Sequence, residues 1–371
     1  MKLFFLLTAL VWSCTKSNFN SQTKESHLGL LWSYDTESVS APFAEPLLLD
    51  DAIFITGGLA MHKVSNSDGS RIWLSRTEGT ASSLQNARII YNEQTVVGLK
   101  PNFIVGFSKE NGTIQWEIQI ADSLYLYTIS LGALFKTTAY YTSVQGYLFD
   151  IDINSGNLNQ IYKFPFKIRN INVFENGDLL IPYEQILSEE PPYPYRAVMG
   201  RWRPSTKEWI WEYELNGGGN FSIRYPQIEN NIVYSGLRGA GFIAINATTG
   251  QEIWKTIDKD LVSGFHVLTP NTIFVSALSF LYALDRHTGQ LLWKSEDIGT
   301  SESTRIHYKN GYVYWGHNNG IYIYDAKTGK QVLFQSPEHG GYIWTSAMGP
   351  DRYFVQTSTH LLAYELYNLE E

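Results

Sequence analysis

Eight histidines and one cysteine are the residues of this 371-residue chain with the widest chemical repertoire, and their spacing decides what they can do. His27, His62, His266, His287, His307, His317, His339 and His360 are scattered through the sequence, with no pair at a metal-binding spacing. His287 falls inside a turn, and His317-Asn-Asn-Gly320 reads as a connection between strands. Gly217-Gly-Gly219 precedes a strand-like run, so it does not form the loop and helix N-terminus that cradle a phosphate. Cys14 has no second thiol to join, which excludes an internal disulfide and a thiolate metal site. Its place directly after an apolar run points to export.

That run, Met1-Lys-Leu-Phe-Phe-Leu-Leu-Thr-Ala-Leu-Val-Trp-Ser-Cys14, carries one positive charge, an apolar stretch from Leu3 to Trp12, and the small Ser13 before the cysteine. A bilayer takes about 20 apolar residues to cross, so the shorter run reads as an export signal that is removed. It resembles a bacterial lipoprotein signal, with Val11 at minus three, Ser13 at minus one and Cys14 at plus one, while Trp12 is bulkier than the usual residue at minus two. The resemblance implies that residues 1–13 are cleaved and that Cys14 is acylated. Residues 14–27 then form a polar tether between membrane and domain.

Charge and composition narrow the partners. Lys and Arg number 28 against 36 Asp and Glu, a net charge of −8, and no basic run is present to neutralise a phosphate backbone, which excludes nucleic acid. With 24 Tyr, 19 Phe and 11 Trp, and only 17% charged residues, the chain favours half-buried strands over solvated helices.

Those strands recur. Ala244 to Lys255 reads AINATTGQEIWK and Ala283 to Lys294 reads ALDRHTGQLLWK. Aligned on the tryptophan, equivalent positions are Trp32, Trp73, Trp116, Gln160, Trp211, Trp254, Trp293 and Leu333, at spacings of 39 to 51 residues. Gly69, Gly112, Gly156, Gly250, Gly289 and Gly329 stand four residues before their anchors, where a tight turn demands positive φ, and Lys207 is the exception. Each interval holds four short β-rich runs, as between Trp293 and Leu333, where Ser303–Tyr308, Tyr312–Gly316, Ile321–Tyr324 and Gln331–Phe334 are separated by turn residues. A period of this length with four strands predicts propeller blades. Three strands follow the last anchor and one, at Trp32, has no blade before it. The N-terminal strand is therefore expected to complete the C-terminal blade. The expectation is an all-β, eight-bladed β-propeller of four-stranded antiparallel blades, one domain over residues 28–371.

The motif A-(L/I)-(D/N)-x-x-T-G-x-x-x-W resembles the pyrroloquinoline-quinone (PQQ) type repeat of eight-bladed quinoprotein propellers, over roughly residues 28 to 368. The resemblance implies that Trp32, Trp73, Trp116, Trp211, Trp254 and Trp293 pack between blades instead of stacking on a ligand. Enzymes of that family clamp PQQ between a Trp and a ring of two adjacent bonded cysteines, with calcium on carboxylate and amide oxygens and an Asp as base. This chain has no adjacent cysteine pair and few insertions, so no catalytic residue, metal or cofactor is assigned. A lipid-anchored propeller of bare repeats looks like the lipoprotein of the outer-membrane β-barrel assembly machinery. That implies a non-enzymatic, monomeric scaffold contacting envelope or outer-membrane proteins. A periplasmic quinoprotein using PQQ and calcium is the alternative, and a glycan- or peptide-binding envelope protein a third.

One segment breaks the repeat. Glu184 to Tyr195, with Pro191, Pro192 and Tyr193, adds some ten residues and reads as a solvated loop or a stiff contact loop for a partner.

Overall fold

The computed structural model describes residues 27–368 except 39–40, 43, 50, 79–87, 101–102, 121–131, 144, 169, 189–194, 216–222, 238–240, 259, 262, 300–304 and 319. The export run, Cys14, Pro191, Pro192, Tyr193 and Gly217-Gly-Gly219 lie outside the described residues.

Eight antiparallel sheets succeed one another along the chain, and no helix occurs among the described residues. The first seven are blades whose strands follow one another in sequence order, the first being Leu47–Leu49, Ala52–Gly57, Ala60–Ser65 and Arg71–Arg76. From the second blade to the eighth, the first strand of each blade touches the first strand of the next, which makes these strands the inner wall of a ring. In the fourth blade that inner strand is broken into Lys167–Ile168 and Asn172–Val173.

The ring closes as the unpaired N-terminal strand requires. Leu30–Asp35 pairs antiparallel with His360–Glu365, so that Trp32 faces Ala363 and Asp35 faces His360. The last blade is thus three C-terminal strands plus one N-terminal strand. Closure leaves the ring without a terminal sheet face.

The burial pattern explains the composition. Middle strands such as Ala52–Gly57 and Thr95–Lys100 are buried at every position, because both faces of a blade are covered by neighbouring blades. Outer strands such as Ile114–Gln119 stay largely exposed. The apolar core divides into eight clusters, each straddling one seam: Trp211, Met199 and Leu180 of the fourth blade pack on Val233, Ile243 and Ile245 of the fifth. Trp32, Phe354 and Ala363 of the last blade pack on Ile53, Ile55 and Val64 of the first. Stability therefore resides in contacts between blades.

Candidate functional site

The repeat residues meet across the seams. Each indole lies flat over the turn glycine of the following blade, so a Cβ added to Gly69, Gly112, Gly156, Gly250, Gly289 or Gly329 would fall 2.4–2.7 Å from Trp32, Trp73, Trp116, Trp211, Trp254 or Trp293 respectively. All six glycines hold φ between 71° and 76°, the left-handed region that other residues enter at a cost. Each indole N–H also donates to a carbonyl of that same turn, as from Trp211 to Ala247 at 2.9 Å and from Trp293 to Ala326 at 3.0 Å. The turn is shaped from below by an acceptor four residues before the glycine: Asp285 Oδ1 takes the amides of His287 and Thr288 and the Thr288 hydroxyl. Asp152, Asn246 and Asp325 likewise accept from the amide of the residue just before the glycine in their blades.

The two irregular anchors now have physical reasons. At the seam between the third and fourth blades Gln160 replaces tryptophan and Lys207 replaces glycine, so the pair is lost on both sides at once. Lys207 keeps the turn's conformation, with φ 60° and its amide donating to Arg203 O at 2.8 Å. Aromatic rings fill the seam instead: Tyr162 and Phe164 pack edge-on against Trp202 at 5.0 and 5.2 Å, and Phe166 stacks on Tyr183 at 3.7 Å. Leu333 faces the last blade, where the turn is replaced by the chain's N-terminal entry. There Gln335 accepts from Leu28 N at 2.8 Å and donates to Leu28 O at 3.2 Å. Gln335→Leu leaves both buried groups unpaired, with an expected cost of about 1–3 kcal/mol. Amide exchange of Leu30–Asp35 is expected to quicken while the third blade stays unchanged; uniform exchange would contradict this clasp.

The inner ends of the first, second, seventh and eighth blades surround a cavity of about 330 Å³, lined by Glu45, Leu48, Arg88, Tyr91, His307 and Met348 among others. Arg305 pairs with Glu45 at 2.9 Å and covers the Phe265 ring at 4.7 Å, which stacks on Tyr225 at 4.0 Å. Arg88 reaches Asn172 across the ring at 3.5 Å, and His307 Nε2 meets Ser346 Oγ at 3.1 Å. Tyr225 takes φ 45° immediately before Pro226, at a break in strand register, a strained turn of the backbone beside this cluster. Sequence reasoning missed Glu45, Arg88 and Arg305, which belong to blade connections and carry no repeat signal.

The histidines serve separate structural environments. His62 and His266 are buried, with His62 Nδ1 meeting the Tyr34 hydroxyl at 2.9 Å and His266 edge-on to Phe242. His317 is buried edge-on against Trp315, His287 is exposed in its turn, and His339 stacks on His360 at 4.4 Å. Among the described residues no three His, Cys, Asp or Glu side chains converge to hold a metal ion.

The two ends of the segment expected as a loop are strand, and its residues 189–194 lie outside the described residues. Leu179–Ile186 pairs along its whole length with residues 195–202, placing Glu184 opposite Ala197 and Tyr195 opposite Ile186. Glu184 and Tyr195 are strand residues, because the two paired arms extend to Ile186 and Tyr195.

Comparison with known proteins agrees with this architecture. Residues 277–363 match the family described as outer membrane protein assembly factor BamB. The crystal structure of BamB from Moraxella catarrhalis superposes with a TM-score of 0.72 at 13% identity, covering 93% of this chain and 100% of that one. The chain is a β-propeller that over residues 277–363 is similar to the PQQ-like repeat proteins. Outer membrane protein assembly factor BamB of Escherichia coli (strain K12) is 27% identical over 35% of the propeller chain and 36% of its own. The quinohemoprotein alcohol dehydrogenase ADH-IIG of Pseudomonas putida is 22% identical over 92% of the propeller chain and 52% of its own. The propeller chain thus spans about half, or less, of the length of these sequence relatives.

The described cavity does not fit the quinone that the repeat's name suggests. Neither Trp nor Asp is among its described lining residues, and its carboxylate, Glu45, is engaged by Arg305. The chain's single cysteine also excludes the vicinal disulfide and a C-x-x-C-H haem attachment.

Proposed function

We propose that the protein is a non-enzymatic scaffold of the bacterial cell envelope, held at the membrane by lipid on Cys14, that presents its blade connections to envelope or outer-membrane proteins. The observation that carries this reading is where regularity breaks. The fourth blade's hairpin has arms of eight and nine residues where the first blade's have six. Its base is stiffened by Phe166, Tyr183 and Trp209, packed ring on ring. Stiffness lowers the entropy lost on binding, and the exposed Leu187, just beyond the first arm, supplies apolar contact area, with Pro191, Pro192 and Tyr193 following it in sequence. The likeness to BamB supports an envelope setting and protein partners. The quinohemoprotein relative favours a second reading, a PQQ- and calcium-dependent oxidoreductase, against which the cavity's composition weighs.

A photo-crosslinker placed at Leu187 of the intact lipoprotein in its native envelope is expected to trap a protein, while one at Thr328, in a regular turn, traps none. Equal yields at both positions, or none at Leu187, would overturn the hairpin as a contact. Cys14→Ser is expected to release a folded propeller from membranes, because attachment depends on acyl chains. Retention of this variant after a salt wash would contradict the anchor.

A further inference from the structure

We infer that the outer rim of the fifth and sixth blades is a docking edge for a basic, aliphatic β-strand of a partner protein. This rests on the scaffold reading but is independent of the fourth blade's hairpin. Glu252–Ile257 and Leu291–Lys294 are the outermost strands of their sheets, so one row of backbone N–H and C=O groups on each is left unpaired by the sheet. Ile257, 74% exposed, is the most exposed large apolar side chain among the described residues, and Leu291 and Leu292 stand at 51% and 53%. Ile253, at the bulge of the strand that carries Ile257, is 46% exposed.

The surrounding charge has one dominant sign. Asp258, Asp260, Glu296 and Asp297 follow the two strands, with Lys259 between the first two, and Glu252 opens the first. Of the nearby described cations, Lys294 is held by Asp260 at 3.2 Å with its ammonium 3.8 Å from the Phe280 ring centroid, which leaves Lys255. The first blade's rim differs, because Arg71 and Arg76 there both pair with Glu37.

An aliphatic strand edge is a template for another strand, and the charge around it selects which. A second copy of this chain, net charge −8, would bring the same acids into register against these and is repelled. An extended segment alternating Lys or Arg with Ile, Val or Leu satisfies the backbone edge, covers the aliphatic side chains and pairs with the acids.

The test uses the intact mature chain and three short synthetic peptides, alternating Lys with Ile, Glu with Ile, and Lys with Ser, followed by fluorescence anisotropy at low ionic strength. The Lys/Ile peptide is expected to bind at least tenfold more tightly than either other peptide, and to lose at least tenfold on Leu292→Lys or Ile257→Lys. Both substitutions are at exposed positions and are expected to leave the melting temperature unchanged. Equal binding of the Lys/Ile and Lys/Ser peptides would reduce the effect to charge alone and overturn the proposal, as would indifference to both substitutions. Sedimentation showing a dimer that Leu292→Lys dissociates would make the occupant a second copy and overturn it too. Crosslinking at Leu187 reads the scaffold function separately, so failure here is distinguishable from failure there.

Discussion

Gly289→Ala is expected to destabilise the protein by about 2–5 kcal/mol, up to as much as removing the tryptophan it faces. Two costs combine. The turn holds φ 72°, which charges an L-residue roughly 1–2 kcal/mol, and the new Cβ would fall 2.4 Å from Trp254 Cε3, forcing the indole out of a close-packed seam at about 1–3 kcal/mol. Trp254→Ala removes the other half of the same contact, together with the indole N–H bond to Arg286 O at 3.1 Å, and is expected to cost about 3–5 kcal/mol. Because one contact is shared, the double variant should fall well short of the sum. Lys207→Ala at the corresponding turn of the fourth blade is expected to cost under about 1 kcal/mol, since the backbone there already carries a side chain at φ 60°. Denaturant midpoints read all four variants. A mild Gly289→Ala, or a Lys207→Ala as damaging as Gly289→Ala, would contradict the paired seam.

Acid is expected to unfold the propeller well before its carboxylates are protonated. Burial pulls His62 down to about 4 and His266 down to about 3, and His307 at the cavity wall to about 4. An unfolded histidine titrates near 6.5, so between about pH 6.5 and 4 the unfolded chain takes up protons that the folded chain refuses. The stability these rings contribute is present above pH 6.5 and is lost as the pH falls toward 4, at about 3 kcal/mol for each fully buried ring. His307 meets some solvent and contributes less. His266 has neither ring nitrogen hydrogen-bonded, so His266→Leu removes an orphaned polar group from beside Phe242 and is expected to flatten the acid slope by about one proton without loss at pH 7.5. Melting temperatures from pH 7.5 to 4.5 check this. A variant whose acid slope matched the parent's would show that His266 is charged or hydrated in the folded state.

The blades were legible because a repeated seam writes the same letters each time: a tryptophan needs a flat surface, and glycine alone presents one at positive φ. The N-terminal closing strand was legible too, since Trp32 had an anchor's letters and no blade ahead of it. What the letters conceal is the partner. Trp254 and Gly250 stand four apart in sequence, yet Trp254 packs on Gly289 of the next blade, and spacing within one repeat carries no sign of that. Gln160 and Lys207 looked like separate erosions of the pattern and are the two sides of one substituted seam. The axial cluster was invisible for a different reason. Glu45, Arg88 and Arg305 come from connections far apart in the chain, where only ring closure brings them together. Burial likewise separates His62 from His287 although the letter is the same.

On the proposed function this ring holds proteins and catalyses no reaction. Titrating PQQ with calcium into the purified mature chain, with a redox dye and alcohol or aldose substrates present, tests it most directly, because a quinone site must stack the ring, neutralise its carboxylates and polarise its carbonyl through a metal. No stoichiometric binding and no dye reduction above the protein-free rate are expected. Saturable binding of one PQQ per chain with substrate-dependent dye reduction would contradict it.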